Sequence, residues 1–321
     1  MVGRRSLLAA GSATLATPAL AQEAWPNGPI RFIVGFAAGS NPDLMARLMA
    51  EPLSASLGVP VVVENRPGAS GSIGAEAVAR ARPDGNTLLL GTVNHAINQS
   101  LQPGLSFDFL RDFVPIGQCY LIPNVVLVAT SLPVSTMAEL VALARARPGQ
   151  INFASSGVGT SLHLAGELLK QSAGIDMVHV PYRGAPDAHQ DLEAGRVQLI
   201  IDNLPPSIPR IEGGRAKALA ITSPTRFSRL PDVPTVAEAG FPQLQMLIWG
   251  GIFVATRTPA PIQERLRVEM DRMIETPAFQ ARLQQLGSLP VERNREAFRA
   301  FTLAETARWR EVVERSGARA S

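Results

Sequence analysis

Cysteine is almost absent from this chain. Cys119 stands alone, so no internal disulfide can form and no thiolate cluster can hold a metal. Its plain reading is a small buried hydrophobe. Lysine is nearly as scarce: Lys170 and Lys217 are the only two, and arginine supplies the rest of the 30 basic residues. Against 27 acids the formal charge is only +3, and the basic side is arginine that stays protonated. With no basic block and no interleaved aromatics, nucleic acid is not an expected partner. Aromatic residues make up 5% of the chain, too few for a sugar site built on stacked tryptophans, with Trp249 the one candidate. The histidines His95, His163, His179 and His189 show no paired metal spacing.

Standard catalytic and nucleotide signatures are missing too. Gly35 and Gly39 stand four apart, and Gly157-Val158-Gly159 lacks a third glycine because Leu162 occupies that place, so a dinucleotide fingerprint fails. No Gly-Lys-Ser/Thr phosphate loop occurs. Gly68-Ala69-Ser70-Gly71-Ser72 imitates a nucleophile elbow but ends in serine, and Asn65-Arg66-Pro67 precedes it in place of a strand. An exported hydrolase using Ser70 is therefore the weakest rival reading. No enzyme, metal or cofactor is expected.

The first residues read as an address. Gly3-Arg4-Arg5-Ser6-Leu7-Leu8 opens a short apolar stretch, and Pro18-Ala19-Leu20-Ala21 ends in the small-x-small pattern of a cleaved signal peptide over residues 1–21. The paired arginines resemble a twin-arginine signal, although ordinary secretion signals also begin with basic residues. Removal of both arginines and no acid leaves 28 basic and 27 acidic residues, a formal +1. No later apolar run is long enough to span a membrane. The mature protein is expected to be periplasmic.

Strands and helices alternate along that mature chain. Strands are expected at Ile30–Phe36, Val59–Glu64, Thr87–Leu90, Val125–Ala129, Met177–Val180, Val197–Ile201, Ala216–Ile221 and Leu247–Val254. Helices are expected from Asn41, with Pro52 kinking or ending the first, and at Ser72–Arg82, Thr136–Arg147, Ala185–Ala194 and Pro205–Glu212. Beyond Leu247–Val254 everything reads helical, with Thr258 capping and Pro259 starting the first of three helices. In the last helix, Glu305 interrupts the stripe of Phe298, Phe301, Trp309 and Val312, which predicts incomplete burial there. The pattern is α/β with parallel strands and crossover helices. About 300 residues is too much for one small core, so two lobes are expected.

Two stretches share one design. Ile30–Phe36 runs into Ala37-Ala38-Gly39-Ser40 and a helix start at Asn41-Pro42-Asp43; Ile151–Phe153 runs into Ala154-Ser155-Ser156-Gly157-Val158-Gly159 and a helix opening at Thr160. Small residues let each turn approach a guest, and the helix N-terminus offers free N–H groups and about half a positive charge. Two such turns point to a carboxylate gripped by the amides of Gly39–Asn41 and Ser156–Thr160. Asp43 reads as a helix-dipole partner, and His163 as either a contact to the guest or a partly buried polar group. Thr92 and Asn94 end one strand, Tyr182 and Arg183 another, and Asp202 and Asn203 a third, where α/β sheets present ligand loops. Arg183 can fork onto a carboxylate or pair with a surface acid.

Four motifs carry a family resemblance: Val59-Pro60-Val61-Val62-Val63-Glu64-Asn65-Arg66-Pro67-Gly68-Ala69, Pro83-Asp84-Gly85-Asn86-Thr87-Leu88-Leu89, Val180-Pro181-Tyr182-Arg183-Gly184, and Asp232-Val233-Pro234-Thr235-Val236-Ala237-Glu238-Ala239-Gly240. Across residues 26–315 the chain resembles the Bug-type solute-binding receptors of tripartite tricarboxylate transporters. The resemblance implies a type II periplasmic-binding-protein fold of two lobes, each a mostly parallel sheet flanked by helices. Lobe I would comprise residues 22–124 and 248–321, and lobe II residues 125–247. It further implies a monomer that binds a small carboxylate (a di- or tricarboxylate, an aromatic acid or an amino acid) through backbone amides and bridging waters. Membrane permease subunits, or a sensor in their place, would be the partner. Ser40 replaces a second glycine of the family's first loop, and Gln198 an aspartate, which bears on the choice of ligand and not on the class.

Overall fold

The computed structural model describes residues 25–291 and 294–316. The expected signal peptide therefore lies outside the described residues. In chain order the elements are β1 (Ile30–Val34), α1 (Asn41–Leu57), β2 (Val61–Asn65), α2 (Ser72–Ala79), β3 (Thr87–Thr92), α3 (Val93–Leu101), α4 (Phe109–Asp112), β4 (Phe113–Ala129), α5 (Met137–Ala146), β5 (Asn152–Ser155), α6 (Ser161–Ala173), β6 (Val178–Pro181), α7 (Ala185–Glu193), β7 (Leu199–Asn203), α8 (Leu204–Glu212), β8 (Ala216–Ile221), β9 (Leu247–Ala255), α9 (Ala260–Glu275), α10 (Pro277–Gln285) and α11 (Arg295–Ser316).

The strands follow the order β2-β1-β3-β9-β4-β7-β5-β6, with β8 also on β4. Pairings β1/β2, β1/β3, β5/β6 and β5/β7 are parallel, as their crossover helices require. Those of β9 with β3 and β4, and of β4 with β7 and β8, are antiparallel, so the sheet is mixed and not parallel throughout. The reason is β4. Its 17 residues pair with β9 up to Pro123, then with β7 and β8 from Asn124 onward, so one strand belongs to both halves of the array. Only its second half was expected as a strand; Pro115, Gly117 and Pro123 hide the first half, and they sit at or beside its bulges or where it changes partners.

Other elements also depart from expectation for identifiable reasons. Helix α1 continues through Pro52 to Leu57, because buried Met49, Leu53 and Leu57 hold the turn whose backbone bond proline removes. Helix α9 begins one residue later than expected, with Pro259 at the N-cap. Glu305 is buried, not half-exposed: it accepts hydrogen bonds from the indoles of Trp249 (3.0 Å) and Trp309 (3.1 Å) and pairs with Arg308. Cys119 is buried as expected, and burial pushes its thiol pKa up.

Apolar side chains of β1, β3 and β9, such as Phe32, Leu88, Leu90 and Phe253, pack under α1, α9 and α11 in a core that runs on through β4. Val125, Leu127, Ile200, Leu162 and Leu192 build a second cluster around β7. Each such side chain contributes about 1.5–3 kcal/mol on burial. These cores fix the strand ends in space, and the carboxyl ends of β1, β3, β5, β6 and β7 all open toward one cleft.

Candidate functional site

An inner cavity lies where those strand ends meet. The N-caps of four helices line it: Ser40 of α1, Thr92 of α3, Gly184 of α7 and Asn203 of α8. Ser161, the first residue of α6 after its Thr160 cap, makes a fifth helix start. Each contributes positive potential equivalent to about half a charge, so the cavity is built for an anion. Arg183 is the only charged side chain on its wall among the described residues, and it makes no ion pair among them. Phe36, Pro42, Leu162 and Ile248 supply apolar surface that strengthens these interactions.

Beyond Arg183 the cavity opens into a wider cleft of about 910 Å³, bordered by Gly68–Gly71 on one side and Ser156, Gly157 and Tyr182 on the other. The inner cavity itself has free space of about 20 Å³, room for a water but not for a metabolite. Two hydrogen bonds hold its walls together. Ser161 N–H donates to Asn94 Oδ1 (2.7 Å), and Ser70 Oγ donates to the Val158 carbonyl (2.6 Å). The Asn94 oxygen thus sits on a helix N-terminus that can serve an anion. Ala69 and Ser70 reach this position in left-handed backbone conformations. The Ser70 hydroxyl is bound to a carbonyl, not to a base.

The two glycine turns are built as the sequence indicates, yet several of their amides are already occupied. Gly39 N–H donates to Asp43 Oδ2 (2.9 Å), and Ser40 N–H to the Ala37 carbonyl. Gly157 N–H donates to Ser155 Oγ, Gly159 N–H to His163 Nδ1 (3.0 Å) and Thr160 N–H to the Gly157 carbonyl. Gly39 and Gly159 both have φ of +77°, which a side chain would strain. Their internal bonds shape the turns, and the helix ends behind them face the cavity.

Of the residues read from sequence, Ser40, Thr92, Asn94, Ser156, Arg183 and Asn203 line the inner cavity, and Gly157 and Tyr182 the outer cleft. The remaining eight lie outside both linings. Asn41 is buried, and neither polar atom of its side chain has a hydrogen-bond partner among the described residues. Asp43 also accepts from Asn65 Nδ2 (2.9 Å) and Arg47, and these bonds hold its pKa below the usual carboxylate range although burial acts to raise it. Ser155 Oγ meets His179 Nε2 at 2.7 Å, and the ring of His179 stacks on His163 with centroids 3.9 Å apart. Burial, with His163 and Lys170 nearby, pushes the His179 pKa down to about 3. Burial also lowers His163, so both rings are neutral near pH 7. Asp202 is buried against His189 Nε2 at 2.5 Å. The Tyr182 phenol donates to Asp191 (2.6 Å), and burial followed by that contact pushes its pKa up to about 12.

Sequence reasoning missed Tyr120. It sits in the half of β4 that was not expected, at a register shift between Gln118 and Tyr120 that turns its ring onto the cavity. Its hydroxyl is buried without a hydrogen-bond partner among the described residues, as is Asn203 Oδ1. Such an orphan costs about 1–3 kcal/mol. The signal was in the partner strand: Tyr120 pairs with Gly250, whose missing side chain leaves room for the ring.

The sequence profile described as "Tripartite tricarboxylate transporter family receptor" matches residues 45–318. Protein BugT of Bordetella pertussis is 35% identical over 310 residues, covering 96% of this chain and 95% of BugT. Among solved structures, an R. palustris protein with adipate superposes with a TM-score of 0.88 at 34% identity, covering 92% of this chain and 99% of that one. MatC from Rhodopseudomonas palustris with bound malate gives 0.85 at 31% identity, over 90% and 100%.

Proposed function

We propose, from the premise that this chain belongs to the tripartite tricarboxylate transporter receptor family, that it captures a small carboxylate in the inner cavity and releases it unaltered. One observation carries this reading: five helix N-termini and the unpaired Arg183 converge on a single small cavity with no acid on its wall among the described residues. A carboxylate there gains roughly 0.3–1 kcal/mol from each exposed helix end, and up to about 2 from a partly buried one. With a forked bond from Arg183 and hydrogen bonds from Thr92, Ser156 and Asn203, micromolar affinity, about −8 kcal/mol, is within reach.

Because the cavity is too tight for a metabolite, binding requires the walls to part and close again. The proposed lobes, residues 22–124 with 248–321 and residues 125–247, fit this motion, since β4 changes partners at Pro123 and Asn124. The protein acts as an exported periplasmic monomer that hands its ligand to membrane permease subunits. Family membership and the cleavable-looking N-terminus support that assignment.

A thermal-shift screen of mono-, di- and tricarboxylates, aromatic acids and amino acids tests the reading, since a bound guest stabilises the folded state. At least one acid should raise the melting temperature by several degrees; no shift with any of them would refute carboxylate capture. Calorimetry on Arg183→Ala should then show at least tenfold weaker binding of that acid, and unchanged affinity would remove Arg183 from the clamp.

A further inference from the structure

Two residues on the cavity wall carry buried polar atoms that have no hydrogen-bond partner among the described residues: the Tyr120 hydroxyl and Asn203 Oδ1. Tyr120 is fully buried and Asn203 nearly so. They come from different parts of the fold, the bulged β4 and the junction of β7 with α8. Arg183 borders both the inner cavity and the outer cleft, whereas Tyr120 and Asn203 border the inner cavity alone. The site therefore has a charged mouth and a neutral, hydrogen-bonding floor.

We infer that Tyr120 and Asn203 determine specificity by reading an oxygen-bearing group on the end of the ligand remote from Arg183. This deepens the carboxylate reading and rests on it. The phenol is the sharper of the two. Burial raises its pKa, so it remains a neutral O–H donor and needs an acceptor. Tyr120 faces Gly250 across the strand pair, where any Cβ would come within 2.4 Å of the hydroxyl, so the bare glycine gives the ring its place on the cavity wall. A second carboxylate or keto oxygen accepts from the Tyr120 hydroxyl, and a ligand hydroxyl can in addition donate to Asn203 Oδ1. A ligand ending in a methyl group leaves both atoms desolvated and unpaired, the situation in which polar sites discriminate most strongly.

The test compares matched acids: adipate against hexanoate, and malate against 2-hydroxybutyrate, titrated calorimetrically into wild type and Tyr120→Phe. Wild type should favour the diacid of whichever pair it binds by at least tenfold. Tyr120→Phe should bind that diacid roughly tenfold to hundredfold more weakly, with the monoacid changed by less than twofold, so that the preference collapses. Diacid affinity in the variant within twofold of wild type overturns the inference while the carboxylate reading stands. If wild type binds only acids of the thermal-shift screen that lack a second oxygen-bearing group, the inference alone is overturned. If it binds no acid of that screen, the carboxylate reading itself is contradicted and the inference falls with it. Ligand-free melting supplies an independent check. Removing a hydroxyl that has no partner should leave the melting temperature unchanged or raised, and a marked drop would show that the hydroxyl serves the fold instead.

Discussion

Asp43 is almost wholly buried, and its carboxylate receives Gly39 N–H, the Asn65 amide and the Arg47 guanidinium. Its position after a glycine turn was legible, but its task was not, because Asn65 reaches it from β2, while only Arg47 stands one turn along α1. Asp43→Asn turns one acceptor into a donor facing Asn65, and should cost about 1–3 kcal/mol in urea unfolding at pH 7. A loss below about 0.5 kcal/mol would contradict the role. His95 makes the matching case for a base. Burial pushes its pKa down to about 4, against bonds that raise it, while Thr92 N–H donates to its Nδ1 at 3.0 Å. With the folded value below the unfolded value of about 6.5, the unfolded chain binds the extra proton between the two. Stability is thus complete above pH 6.5 and declines as pH falls toward 4. His163 and His179 add to the same slope. The melting temperature should fall over that window, and His95→Gln should reduce the slope by close to one proton. An unaltered slope in that variant would be evidence against a buried neutral His95.

At the scale of elements, pattern reading succeeded where one face or one period dominates. The helices after the two glycine turns, the parallel strands and the C-terminal helices were all legible. It failed for α3 and the first half of β4, where polar residues and prolines serve the cavity or the join between sheets. Helix α2 shows how tertiary contact overrides local propensity. Gly74 lies within it, and in an exposed helix Gly→Ala would stabilise by about 1 kcal/mol. Here a Cβ on Gly74 would lie 2.8 Å from Gly35 Cα, at the end of β1, where backbone and not a yielding side chain is met. Gly74→Ala should instead destabilise by about 1–3 kcal/mol. A raised melting temperature in Gly74→Ala would mean that α2 does not seat on β1 this closely.

For the molecule as a whole, the proposed capture depends on two walls that lie within hydrogen-bonding distance of each other and would have to separate to admit a guest. Ser70 with Val158 and Asn94 with Ser161 are the bonds across that meeting, and neither pairing could be read from sequence, since 88 and 67 residues separate the partners. Ser70→Ala removes one bond that favours closure. At about 0.5–1.5 kcal/mol, apparent affinity for the best-binding acid should weaken roughly two- to tenfold. Unchanged affinity and unchanged dissociation rate would show that the bond plays no part in closure. The central claim is that negative charge, held by five helix ends and Arg183, is what the cavity recognises. The most direct measurement is calorimetry of wild-type protein with its best acid and with the primary amide of that acid, which has nearly the same shape and no charge. The account predicts micromolar binding of the acid and at least hundredfold weaker binding of the amide; equal affinity for the two would contradict it.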